Sequence, residues 1–125
     1  ERFARYPVSI FSFAEGTRYT KEKHSLQSST FENLLMPKSG GIGLTLSTMP
    51  YIKKTLDFSI KYYTDERTFW DFLCGRMSKV SIRVRTIEIP KNLLAKDYAN
   101  DIKFREELKR WLYEIWNEKS KFLKN

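Results

Sequence analysis

Between Asn100 and Leu123 apolar residues recur three and four positions apart, at Phe104, Leu108, Trp111, Leu112 and Ile115, with Lys and Glu on the opposite side. That period predicts a long amphipathic helix starting near Asp101, whose carboxylate can cap the first free N–H groups. Trp116 and Phe122 fall partly off the stripe, which leaves them for the core or for an interface. A helix with one apolar stripe must lay it on a surface that the rest of the chain supplies. Two alternating runs offer one. Leu56 to Tyr63 sets Leu56, Phe58, Ile60 and Tyr62 on one side and Asp57, Ser59, Lys61 and Tyr63 on the other, the pattern of a half-buried strand. Val80 to Ile89 sets Val80, Ile82 and Val84 against Ser81, Arg83 and Arg85, and Pro90 ends it. This predicts a one-side-exposed or edge strand with both arginines on its wet face.

Val8 to Phe13 is a dense apolar run, as in a strand buried on both faces of a parallel sheet. It follows a basic-aromatic lead-in, Arg2 to Pro7. Thr20 to Ser29 is polar and reads as a solvated loop carrying Lys21, Lys23 and His24. Ser28 to Leu35 is either a short helix with Phe31, Leu34 and Leu35 inward, or is already extended at its end. Ile42 to Met49 reads as a helix stopped by Pro50. Thr64 to Arg67 makes a polar turn, and Phe69 to Leu73 a compact aromatic helix or wedge closed by Gly75. Cys74 beside it is expected to be a small buried residue. The expected fold class is α/β, a single domain over 1–125 with a mixed sheet flanked by helices and a long C-terminal amphipathic helix.

With 125 residues the chain has the size of one domain. Its formal charge of +8 implies an anionic partner, either nucleic acid, an anionic membrane face or a phosphorylated substrate, or else a basic surface with no dedicated partner. A single cysteine excludes an intrachain disulfide and fits a reducing, cytosol-facing location. No apolar run approaches the roughly 18 residues needed to span a bilayer. Because the chain opens on Glu1 and not Met, it is expected to be a piece of a longer protein.

The residues that carry chemistry are in Phe11 to Thr20, F-S-F-A-E-G-T-R-Y-T. An apolar run ends in Glu15, Gly16, Thr17 and Arg18. Glycine permits backbone that a Cβ forbids, and the arginine fork suits a phosphate or carboxylate. About twenty residues on comes Leu34 to Gly41, L-L-M-P-K-S-G-G, where Gly40 and Gly41 permit a tight turn and close approach of backbone N–H groups to a ligand.

Together these blocks resemble the 1-acylglycerol-3-phosphate O-acyltransferase (PlsC-like) family, whose third sequence block is E-G-T-R after a Phe-rich strand. The continuation is similar to its bacterial YihG-type branch: Pro37-Lys38-x-Gly40-Gly41, then Asp57-x-Ser59-Ile60-x-Tyr62, Gly75-Arg76 before the strand V-S-I-R-V-R, and W-L-Y-E-I-W-N-E-K from Trp111. The resemblance covers nearly the whole chain. It implies a partial glycerol-3-phosphate acyltransferase-like domain. Such an enzyme moves a fatty acyl group from acyl-CoA or acyl carrier protein to lysophosphatidic acid or a related lysophospholipid in phospholipid biosynthesis, without metal or prosthetic group. It implies that Glu15, Gly16, Thr17 and Arg18 bind the acceptor, with Arg18 on the phosphate and Glu15 holding Arg18 or backbone N–H groups. Pro37, Lys38, Gly40 and Gly41 stand where the family shapes a second pocket. Ala14 departs from the Pro that many relatives carry there.

The family's general base and its orienting carboxylate form an H-x-x-x-x-D block ahead of E-G-T-R. The one histidine, His24, has Ser29 and not Asp five residues on, so it is not that base. The His and Asp are therefore expected upstream of Glu1, and the 125 residues alone are expected to be inactive; acyl transfer by the purified chain would overturn this. The resemblance further implies the cytoplasmic face of a membrane, the bacterial inner membrane, reached through upstream segments, with an anionic membrane surface as a partner and no nucleic acid. The reading of a different class is a non-catalytic basic module for anionic membrane or nucleic acid, which interleaved Lys, Arg and aromatic residues permit.

Overall fold

The computed structural model describes residues 6–65 and 68–124. The first part of the basic-aromatic lead-in and the Glu66-Arg67 end of the expected polar turn lie outside them. The described residues form a small mixed α/β structure. Its elements are α1 (Lys21–Leu26), α2 (Gly40–Thr48), β1 (Lys54–Tyr62), α3 (Phe69–Leu73), β2 (Val80–Glu88), a 3-10 turn (Lys91–Leu93) and α4 (Ile102–Lys124). The two strands pair antiparallel, with Asp57 opposite Arg85, Phe58 opposite Val84 and Ile60 opposite Ile82. This ribbon is the sheet of the described residues.

The long helix forms where its period places it, and Asp101 Oδ1 accepts the Phe104 N–H at 2.9 Å as its cap. Its stripe serves two apolar clusters. Phe104, Leu108 and Leu112 pack with Leu46 of α2, Ile89 and Leu93, while Ile115 and Trp116 pack with Phe31 and Leu34. The first cluster includes a close approach at Gly43 of α2. A methyl group there would fall inside the ring of Tyr98, which lies edge-on to Phe104 at 6.1 Å and bonds the Ser39 hydroxyl at 2.9 Å.

The ribbon is turned over relative to the hydropathy of its strands. Helix α4 covers the side carrying Asp57, Ser59, Arg83 and Arg85, so the arginines expected on a wet face are under the helix. Asp57 receives Lys119 Nζ at 2.6 Å and Arg85 Nη2 at 2.7 Å. Arg85 also reaches the Ile115 carbonyl, and Arg83 donates to the Glu118 carbonyl at 2.9 Å while lying 4.3 Å over the Phe122 ring. The polar side can be buried because its charges find partners there and its long cationic stems pack as hydrocarbon. Leu56, Phe58, Ile60, Val80, Ile82 and Val84 form the opposite face, which is exposed. Contiguous apolar surface of this kind marks a site of association.

Four other expectations change. Val8 to Phe13 forms no strand, and Phe11 and Phe13 are 84% and 89% exposed. A strand needs a neighbour for its backbone groups, and none lies beside it among the described residues. The solvated loop after Arg18 is instead helix α1, because the Thr20 hydroxyl accepts the Lys23 N–H and caps it. Residues 28–35 are irregular and not helical, yet Phe31, Leu34 and Leu35 are buried. Side chains meet their backbone groups: Ser29 Oγ donates to the Leu34 carbonyl at 2.8 Å, and Gln27 Oε1 accepts from Met36 N at 3.1 Å. Trp116 belongs to the core, its indole N–H donating to the Leu35 carbonyl at 3.1 Å. Cys74 is exposed, because α3 presents its aromatic residues outward with no element over them.

Candidate functional site

The apolar run of Phe11 to Phe13 ends in a tight turn. Gly16 N–H donates to the Phe13 carbonyl at 2.9 Å, and Gly16 takes φ +70°, a left-handed conformation that a side chain would strain. The second block is joined to this turn through its backbone, with Lys38 N–H donating to the Ala14 carbonyl at 2.7 Å. The two stretches singled out in the sequence are thus neighbours in the fold.

Within it the four turn residues point to different work. Glu15 is half-buried. Removal from water raises its carboxyl above the usual glutamate value, while the Leu35 N–H and the charge of Lys119 act the other way. Its carboxyl is thus partly withdrawn from solvent beside the second block. Thr17 accepts Lys23 Nζ at 2.7 Å, and the same ammonium lies 3.4 Å from the Arg18 carbonyl. Arg18 is exposed, and its guanidinium has no hydrogen bond or ion pair among the described residues. The side chain of Lys38 lies along Gly16, with Cδ and Nζ each 3.3 Å from where a Cβ would stand.

The proposed second pocket is only partly drawn in. Lys38 reaches the turn, whereas Gly40 and Gly41 are the exposed first turn of α2, with open space where side chains would be. They start a helix instead of making a tight turn because Ile42 and Leu46 behind them dock on the first apolar cluster. Pro37 is half-buried between the two. His24 is engaged elsewhere, its Nε2 lying 2.9 Å from the Phe31 carbonyl. Among the described residues no group of His, Cys, Asp or Glu could hold a metal ion.

Two contributors escaped the sequence reading. Lys23 falls in the stretch that reads as a solvated loop, and the signal for its place is the Thr20 cap that starts α1 and brings its ammonium to Thr17. Lys119 lies about a hundred residues from Glu15, and nothing in its spacing points there.

Compared with protein-family models, curated proteins and solved structures, the chain matches none of them.

The environment of Glu15 has a consequence for stability. A carboxyl with a raised folded-state pKa holds its proton better folded than unfolded. Its contribution is fully present below the ordinary glutamate value and is lost as pH rises through the raised one. Glu15→Gln keeps an acceptor for the Leu35 N–H and removes the titration. The stability difference should shift in the variant's favour between about pH 4 and pH 7, across the glutamate range. Denaturant unfolding of both proteins over that interval measures it, and a difference that stays flat with pH would show that Glu15 is not desolvated.

Proposed function

We propose that this chain is the carboxyl-terminal part of an acyltransferase that moves a fatty acyl group from acyl-CoA or acyl carrier protein to the free hydroxyl of lysophosphatidic acid or a related lysophospholipid. The observation that carries this reading is the Lys38-to-Ala14 hydrogen bond, which makes one basic surface turn out of the two stretches on which the family resemblance rests. Such a turn suits a phosphate. It offers an arginine without a carboxylate partner among the described residues, near two lysines, while its own carboxylate is half-buried.

In this reading the turn holds and orients the acceptor, and a histidine outside these residues takes the proton of the acceptor hydroxyl as its oxygen attacks the thioester carbonyl. The thiol then leaves as the ester forms. The work would be done at the cytoplasmic face of a membrane. No helix of the described residues is long and apolar enough to cross one, so these residues would lie against it. The exposed apolar face of the ribbon, on a chain of charge +8, also favours a second reading, a basic module that rests on anionic membrane without catalysis.

Arg18→Ala separates the two. In the complete enzyme it should raise the apparent KM for the acceptor by about tenfold or more, or collapse kcat, as expected for loss of a charge-assisted bidentate contact. Unchanged acyl-transfer kinetics would rule out the phosphate role.

A further inference from the structure

The position of Lys38 has no explanation in the packing. Its backbone is anchored on the Ala14 carbonyl. The residues around it are fixed, with Leu34 and Leu35 buried before it and Ser39 buried after it, bonded to Tyr98. Yet its ammonium ends against the bare backbone of Gly16, and it has no hydrogen bond or ion pair among the described residues. The nearest carboxylate in sequence to that turn, Glu15, is half-buried and forms no ion pair with it among the described residues. A lysine held from its root, left without an anion and lying on Gly16, two residues before an Arg18 whose side chain is equally unpaired among the described residues, is arranged for an anion from solution.

We propose that Lys38 is the second cation of the acceptor site and the residue that makes it prefer a dianionic phosphate monoester to a monoanionic phosphate diester. This rests on the acceptor-phosphate reading of Arg18. Arg18 alone, with a planar fork of donors, can hold two oxygens of either ester. A second full charge beside Gly16 has no matching charge on a diester, so it adds affinity for the monoester selectively. Lys23 is a positioning residue in this arrangement. Its ammonium is bonded to the Thr17 hydroxyl and lies close to the Arg18 carbonyl, which holds the turn and leaves Arg18 and Lys38 as the free charges. The glycine at 16 is required twice, by its left-handed backbone and by the lysine stem lying on it.

The test is titration of the 125-residue chain, followed by amide chemical shifts of Gly16, Thr17 and Lys38, with glycerol 3-phosphate as monoester and glycerol 3-phosphocholine as diester. The native chain should bind the monoester more tightly. Lys38→Gln should weaken the monoester by about tenfold, the scale of one charge-assisted contact, and leave the diester nearly unchanged, so that the preference disappears. Lys38→Arg should restore it. Arg18→Ala should weaken both esters. Lys38 is exposed, so its variants should keep the native unfolding transition.

If Lys38→Gln leaves both affinities unchanged while Arg18→Ala weakens them, the assignment of Lys38 is overturned and the acceptor-phosphate reading stands. If Arg18→Ala has no effect, or neither ester binds the native chain at these amides, both are overturned. An equal loss of both esters in Lys38→Gln would refute the selectivity and leave Lys38 as a general anion contact.

Discussion

Phe104→Ala should lower the unfolding free energy by about 3–5 kcal/mol, the range for truncating a fully buried aromatic side chain. The ring is completely buried in the first apolar cluster and meets Tyr98 edge-on. Its neighbours have little freedom to close the space left behind. Tyr98 is held by the Ser39 hydroxyl, by its own N–H on Ser47 Oγ at 3.1 Å, and by the absence of a side chain at Gly43. A domain of this size commonly has only about 5–15 kcal/mol in total, so the variant should melt far below the native chain. Calorimetric unfolding of the two proteins measures this, and a loss under about 1 kcal/mol would mean that α4 does not dock as described.

Asp57→Ala should be of similar size, about 3–5 kcal/mol, for a different reason. Asp57 is the shared acceptor for Lys119 and Arg85, and its side chain and that of Lys119 are 7% and 13% exposed. Removing the carboxylate strands two cations beneath α4. Apolar replacement of all three residues together, Asp57→Leu, Arg85→Met and Lys119→Met, should recover most of the loss, because desolvation of the charges offsets much of their attraction. Denaturant unfolding of the single and triple variants decides it. A triple variant no more stable than Asp57→Ala would show that the charges bind the helix by more than mutual neutralisation.

That charge layer is where the sequence was hardest to read. The two strands are legible as strands, and the α4 stripe and its Asp101 cap are legible too, because alternation and the three-and-four period are local signals. Alternation says that two faces differ without saying which one the helix covers. Here the covered face is the polar one, a choice made by cross-strand neutralisation of Asp57 and Arg85 and by Lys119 reaching down from the helix. Val8 to Phe13 fails for a related reason, since strand-prone composition forms no strand without a partner edge. Trp116 lies off the stripe, and what buries it is packing against Phe31 and Leu34, with its indole N–H satisfied by the Leu35 carbonyl. In the site, Glu15 to Arg18 was legible from residue type. The convergence of Lys38 and Lys23 on Gly16 and Thr17 was not, because spacing along the chain carries no information about a backbone bond such as that between Lys38 and Ala14.

Helix α4 also sets the order in which the chain can become structured. Its indole at 116 closes on a carbonyl 81 residues earlier, the Ser120 hydroxyl on one 88 residues earlier, and Lys119 on one 61 residues earlier. Closing loops of that length before any contact rewards them slows folding. As the chain emerges during synthesis, the turn at Gly16, the segment through Leu35 and the hairpin wait with their inner surfaces uncovered until residues past 102 arrive. The segment that carries Glu32 and Leu35 is therefore fixed only once α4 has docked on it, although it precedes α4 in the chain.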